Sequence, residues 1–259
     1  MSEIGRRKVL TMLGLGAAAA CPVCAASLRG AFAAEGAHWG YAEHNGAHKW
    51  GELSPDFKTC TFGTDQSPID LSKGIAADAG APQLDWKAVP LKVVNNGHTI
   101  QVNAPAGGTM TLRGKAYSML QFHFHSPSEH TLDGKSFPME VHFVHKAADG
   151  ELAVLGVFMD QGARHDATEA IWAAMPEQAG PETEVAGATV DPNAFLPKGR
   201  RHFRYMGSLT TPPCSEGVVW TMLRESIAVS ADQIARFAKL FPLNARPVQP
   251  LNRRFLLEG

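Results

Sequence analysis

The sequence predicts a mostly β fold of the α+β kind: a single domain on a large central, largely antiparallel mixed β-sheet, with short peripheral helices. Three observations carry this. Eight short runs read as strands: LKVVNN, TIQVNA, TMTLRG, YSMLQFHFH, MEVHFVHK, LAVLGVFM, HFRYMGSL and VVWTML. Turn signals such as PAGG, LDGK and ADGE separate them, and 25 Gly and 17 Pro suit a chain of strands and loops. Helical patterns are few. Asp166 is placed to cap ATEAIWAAM, with Glu169 at the capping-box position; Ser230 is placed to cap ADQIARFAKLF, with Gln233 in the same role and Pro242 as the stop.

Composition narrows the class. The 259 residues are 44% hydrophobic, enough to bury a core rather than stay disordered. A formal charge of -1, without clustered Lys and Arg, excludes nucleic acid as the expected partner. From Glu35 onward no linker rich in Ser, Gly or Pro divides the chain, so residues 35–259 are expected to form one domain.

Residues 1–34 read as an export signal. Arg6, Arg7 and Lys8 precede an apolar run from Val9 to about Ala26, and small residues close the segment near Ala33 and Ala34. The Arg pair resembles a twin-arginine signal. The run is rich in Ala and Gly and holds Pro22, so no stable membrane insertion is expected once it is removed. Cys21 after alanines resembles a lipid-attachment site. Cys21 and Cys24 have the spacing of a redox pair, but both lie in the removed segment.

Cys60 and Cys214 then remain, and an even count in an exported chain suggests a disulfide. In the chain-entropy model, closing a loop this long is worth about 5 kcal/mol. The alternative is two buried thiols.

The stretch QFHFHSPSEH carries the chemistry. On a strand, Gln121, His123 and His125 share one face while Phe122 and Phe124 take the other. In MEVHFVH the same rule groups Glu140, His142 and Val144. A turn near LDGKSFP lets the second strand run antiparallel to the first, so His142 can complete a three-histidine set. Three neutral nitrogens with an open fourth position are the pattern of catalytic zinc. Gln121 and Glu140 are in phase to accept the second N–H of such ligands. His130 and His145 fit the pattern poorly and are assigned to structural hydrogen bonds. A rival is the cupin barrel, in which HFHSPSE would make Glu129 a ligand to iron or manganese. No second cupin-type segment follows.

Taken in order, these segments resemble the α-class carbonic anhydrases in an exported bacterial form. The resemblance runs through HWGYAEHNGAHKWGEL (His38 to Leu53), QSPIDL (Gln66 to Leu71), NNGHTIQV (Asn95 to Val102), QFHFHSPSEH and MEVHFVH. It continues through LAVLGVFM (Leu152 to Met159), GSLTTPPCSEGVVW (Gly207 to Trp220) and RPVQPLNRR (Arg246 to Arg254). It implies zinc on His123, His125 and His142, and reversible hydration of carbon dioxide to bicarbonate and a proton by a zinc hydroxide. Thr210 would accept from that hydroxide and donate to Glu129. Thr211 would sit beside the substrate. Val144, Val154, Leu209 and Trp220 would form an apolar wall for carbon dioxide. His98 would shuttle the proton through waters aided by Tyr41 and Asn96, with an ordinary imidazole pKa of about 6.5 near that of the zinc water.

Strict alternation puts His98 in phase with apolar Ile100 and Val102, so that role needs a bulge or a strand end. A Cys60–Cys214 bridge would tether the loop carrying Thr210. His38, His44 and His48 receive no role. Pro68, Pro212 and Pro213 stand in motifs where the family holds cis bonds. The expected location is the periplasm and the expected state a monomer or homodimer. A carbonic-anhydrase-like binding module that has lost its chemistry is the alternative function.

Overall fold

Alternation of apolar and polar side chains builds this sheet, and one bulge sets its phase. The computed structural model describes residues 38–105 and 107–259, so the export signal expected at 1–34 lies outside the described residues. In chain order the first strands are β1 Asp70–Leu71, β2 Ile75–Ala76, β3 Gln83–Trp86, β4 Val89–Asn95, β5 Ile100–Asn103 and β6 Gly108–Leu112. There follow β7 Lys115–His125, β8 Thr131–Leu132, β9 Met139–Ala147, β10 Leu152–Gln161 and β11 Thr183–Val190. The last are β12 His202–Ser208, β13 Glu216–Val229 and β14 Leu257–Glu258. The helices are α1 Trp50–Leu53, α2 Thr59–Phe62, α3 Asp166–Ala173 and α4 Ala231–Leu240.

Twelve strands form one sheet, in the order β11-β4-β5-β7-β9-β10-β13-β12-β14-β2, with β6 joining β7 and β3 joining β6. Within this sheet pairing is antiparallel except β10–β13 and β14–β2, and β1 and β8 form a separate parallel pair. This is the largely antiparallel mixed sheet that the sequence predicts, and all eight expected runs are strands. The edge strand β11 was not expected. Its residues are mostly exposed, so it has no apolar stripe to read.

The register of β7 shifts between Met119 and Gln121, leaving Leu120 unpaired against β9. Tyr117 and Met119 therefore join the same core as Phe122 and Phe124, although their parity is opposite. That core lies on one face of the sheet, where Phe122, Phe124, Phe143 and Phe195 are fully buried. Each such side chain contributes about 1.5–3 kcal/mol relative to exposure. α3 and α4 cover this face: Trp172 stacks on Phe237 at 5.4 Å and meets Phe124 edge-on at 4.7 Å. His123, His125 and His142 are thereby confined to the other face.

Ser230 caps α4 through a complete capping box with Gln233, as expected. α3 differs. Its cap is His165, whose Nδ1 accepts from the Thr168 N–H, and Asp166 is the first helical residue. The Glu169 carboxylate is engaged by Arg236 at 2.8 Å instead of turning back on a cap. The bonds before Pro68, Pro127 and Pro213 are cis and that before Pro212 is not.

Candidate metal centre

The pairing of β7 with β9 sets His123 opposite His142, His125 opposite Glu140 and Gln121 opposite Val144. Directly opposed residues share a face, so two short alternating segments bring three imidazoles together. One nitrogen from each of His123, His125 and His142 lies within 4.8 Å of the others. The remaining nitrogen of each ring is committed. His123 Nδ1–H donates to Gln121 Oε1 (2.8 Å), His125 Nδ1–H to the Asn244 carbonyl (2.7 Å) and His142 Nε2–H to Glu140 Oε1 (2.5 Å). Each partner only accepts, so each ring keeps its proton there and turns a lone pair inward at His123 Nε2, His125 Nε2 and His142 Nδ1.

Burial, followed by the neighbouring imidazoles, holds His123 well below the ordinary histidine range. His125 is also held low, by burial first. Both are neutral at pH 7. Among the described residues His125 Nε2 is buried with no hydrogen-bond partner, a costly state for a polar atom without a ligand. Three imidazole nitrogen donors of this kind fit zinc.

Glu140 accepts from a second ring, His130 Nδ1, at 2.7 Å, and from the His130 N–H at 2.9 Å. Burial pushes its carboxyl up, but the two imidazoles outweigh that and hold it below the usual range. His130 Nε2 meets the Tyr205 hydroxyl (2.7 Å), which contacts Ser67 Oγ (2.9 Å), and Ser67 Oγ accepts the Ser208 N–H (3.0 Å). Both nitrogens of His130 are thus occupied. It is the structural residue expected, as is His145, whose Nδ1 meets the Phe143 carbonyl at 2.9 Å.

Glu129 is buried beside the cluster. Its Oε1 accepts the Arg246 N–H at 2.9 Å. Its Oε2 has no hydrogen-bond partner among the described residues and lies 3.5 Å from His125 Nε2 and 3.8 Å from His142 Nδ1. The Thr210–Glu129 hydrogen bond implied by the resemblance is therefore not made in this structure, because that oxygen leans toward the imidazoles. Thr210 is nonetheless buried on the adjoining loop.

The Arg246 guanidinium donates to Gln66 Oε1 (2.9 Å), the Ser67 carbonyl (2.7 Å) and the Cys60 carbonyl (2.9 Å). Burial pushes its pKa down to about 10. Cys60 and Cys214 form the expected disulfide. Gln66 Nε2 also donates to the Cys214 carbonyl (3.1 Å), so the bridge, Arg246 and Glu129 form one connected unit.

Val144, Val154 and Trp220 lie on one row across β9, β10 and β13, on the histidine face. Leu209 packs against them from the following loop. Trp220 Nε1–H fixes that loop by donating to the Ser208 carbonyl at 2.9 Å, and the Cys214 N–H closes a turn on the Thr211 carbonyl at 2.9 Å. Gly207 is needed beneath it. A Cβ there would fall 2.2 Å from Ser67 Oγ and 2.9 Å from a Trp220 ring carbon.

His98 precedes β5, at the strand end that its phase required. Asn96 Oδ1 accepts the N–H of His98 and of Thr99 at 2.9 Å each, and Gly97 supplies φ +87°. The Asn96 side-chain oxygen, expected to serve a water path, is thus committed to this turn. The His98 ring stacks on Trp39, with centroids 3.7 Å apart and planes 7° from parallel. Burial, then the neighbouring His38, pushes its pKa down to about 4, below the ordinary value expected from sequence. Tyr41 is held well above its usual range by burial and then by the Glu129 charge, so it stays a neutral phenol.

Asn244 escaped the sequence reading. Its backbone carbonyl takes His125, while its amide nitrogen reaches the carbonyls of His98 (3.0 Å) and Phe124 (2.9 Å). A main-chain acceptor 119 residues from its partner leaves no pattern to read. Arg246 opens a quoted motif, but nothing in that motif signals a buried clamp.

An open mixed sheet bearing three converging imidazoles has the makings of a three-histidine metal enzyme. Residues 45–258 match the family model of eukaryotic-type carbonic anhydrase. A carbonic anhydrase of Nostoc sp. is 40% identical over 267 aligned positions, covering 100% of this chain and 99% of its own. One of Pectobacterium carotovorum is 41% identical over 88% of this chain and 93% of its own. The solved α-carbonic anhydrase of Thermovibrio ammonificans, in complex with sulfanilamide, superposes with a TM-score of 0.83 at 44% identity, covering 86% of this chain and 99% of its own. The chain belongs to the eukaryotic-type, or alpha, carbonic anhydrase family. Its enzyme class is therefore carbonic anhydrase, acting on a small molecule, and the cupin alternative falls with the open sheet.

Proposed function

We propose that this chain reversibly hydrates carbon dioxide to bicarbonate and a proton, with zinc held by His123, His125 and His142. The observation that carries this reading is the donor set: three rings, each with one nitrogen bound to an acceptor and the other turned inward. When bound, zinc supplies Lewis acidity that brings the pKa of a water near 7, a value established for carbonic anhydrase itself.

The chain's own residues do the rest. Gln121, Glu140 and the Asn244 carbonyl hold the imidazoles in the tautomers that ligation requires. Glu129 Oε2, buried without a partner among the described residues, would turn from the imidazoles to accept from the Thr210 hydroxyl once those rings hold the metal. That bond leaves the Thr210 oxygen to accept from the attacking water and fix its orientation. Val144, Val154, Leu209 and Trp220 offer carbon dioxide an apolar wall, and Thr211 borders the same space.

His98 carries the proton away. Stacked on Trp39, with a pKa near 4, it releases a proton readily but takes one poorly from a donor near 7. Rotation off Trp39 into water restores the ordinary value of about 6.5 and a balanced transfer. Tyr41 keeps its proton and orders water beside this path.

We further propose that residues 1–34 are an export signal and that residues 35–259 act in the periplasm. The twin Arg and the apolar run to Ala26 support this reading. N-terminal sequencing of the periplasmic protein tests it, and a start at Met1 contradicts it.

Stopped-flow hydration of carbon dioxide by the zinc-loaded chain tests the activity. Turnover that the zinc-free chain lacks is expected. Equal rates with and without zinc contradict the proposal, and zinc retained without turnover returns the chain to the binding-module alternative.

A further inference from the structure

A cavity of about 590 Å³ lies away from the histidine cluster, between β12, the start of β7 and the C-terminal segment. Arg204, Met206 and Val219 line it, and they alternate along their strands with Tyr205 and Trp220. Their side chains therefore leave the sheet on the face opposite the metal cluster. The size is that of a small-molecule site.

The lining is apolar and basic. Met206 and Phe255 are large hydrophobics left 45% and 71% exposed. Arg113, Lys115, Arg204 and Arg254 are the charged residues of the wall, and no carboxylate joins them. Two of these cations are already satisfied. Lys115 pairs with Asp149 at 2.8 Å and Glu151 at 3.1 Å. Arg254 donates to the carbonyls of Leu251, Met206 and Pro250 and lies 3.9 Å from Asp65.

The other two are not. Among the described residues Arg113 reaches only the Asp78 carbonyl, at 3.5 Å. Arg204 is 8% exposed. It donates to the Ala79 carbonyl and to Thr221 Oγ1, while its Nη2 is buried with no partner. Among the described residues neither guanidinium has an acidic partner. Arg204, taken from water and left without a counter-charge, is costly, Arg113 beside it is exposed and free to move, and a planar carboxylate matches the guanidinium fork.

We propose that this cavity binds a small amphiphilic carboxylate, its head shared by Arg113 and Arg204 and its alkyl tail laid along Met206, Val219 and Phe255. The charge of the wall selects an anion, and the two exposed hydrophobics select a tail over a simple ion. The site is separate from the metal cluster and does not depend on the reaction proposed there.

Calorimetric titration of decanoate into the zinc-loaded chain tests this. Acetate and decyltrimethylammonium serve as probes with the head alone and with the same tail under opposite charge. One saturable decanoate site per chain is expected, with no measurable binding of the other two. Arg113→Glu, at an exposed turn, should weaken decanoate at least tenfold, about 1.4 kcal/mol, with carbon dioxide hydration unchanged. Arg204→Gln should weaken it likewise in samples whose melting matches the parent. Equal decanoate affinity in Arg113→Glu, equal binding of the cationic probe, or no decanoate binding would each overturn the proposal. So would a dimer that covers Phe255 and excludes the probe.

Discussion

His123 faces His142 across a single rung of the β7–β9 ladder, their rings edge to face with centroids 5.3 Å apart. That rung sets the whole cluster. A slip of one residue between these strands would send one strand's ligands to the aromatic core and the other's to the open face. The unpaired Leu120 and the Phe122–Phe143 contact at 5.2 Å hold the register from the two sides.

Glu140 is the group whose loss should loosen the metal without removing a ligand. It accepts from both His130 and His142. Glu140→Gln keeps the shape and removes the charge. Zinc affinity measured by chelator competition should fall about 10–100-fold. Unchanged affinity would mean that the carboxylate does not set the His142 tautomer.

His98→Ala should lower turnover mainly in weak buffer, with recovery when imidazole is added. The ring's place against Trp39, outside the ligand set, is why zinc content should stay constant. Equal turnover in weak and strong buffer rules out the shuttle.

Reduction of Cys60–Cys214 should cost stability more than zinc affinity. The bridge spans 154 residues of sequence and joins the segments that clamp Arg246. The loss should approach about 5 kcal/mol, the chain-entropy value for such a loop. Denaturant melts of oxidised and reduced chain measure it, and coincident melts contradict it.

Acid should destabilise the fold between pH 6.5 and 4. Burial pushes His145 down to about 4, and burial together with His38 does the same to His98. The unfolded chain binds protons at these sites near 6.5, before the folded one does. Stability is therefore full above 6.5 and drains as pH falls through the folded values. His145 alone accounts for about 3 kcal/mol at the acid end. His145→Asn, which can still donate to the Phe143 carbonyl, should show a shallower fall in melting temperature across this window. An identical slope contradicts the linkage.

The ligand strands were legible because metal binding on a sheet needs alternation. His123 and His125, two apart, and Glu140 and His142, likewise, declare a common face once two strands are assumed to pair. The bulge at Leu120 was not legible, since it breaks alternation for packing reasons that only the opposite core reveals. The N-terminal helices α1 and α2 are four residues each, too short for a helical period to appear. The stacking of His98 on Trp39 and the clamp of Arg246 join distant segments, and no local pattern encodes such contacts. His165 displaced Asp166 as a cap because its second nitrogen could also reach the Ala194 carbonyl, at 3.0 Å.

The most direct test joins metal content to rate on one sample. Zinc is counted in the purified chain and carbon dioxide hydration is followed by stopped flow, before chelation, after it, and after zinc is returned. One zinc per chain is expected, with turnover lost and regained alongside the metal, and His142→Ala should retain neither. A stripped chain that hydrates carbon dioxide at the full rate, or a His142→Ala chain with its full complement of zinc, would contradict the three-histidine site.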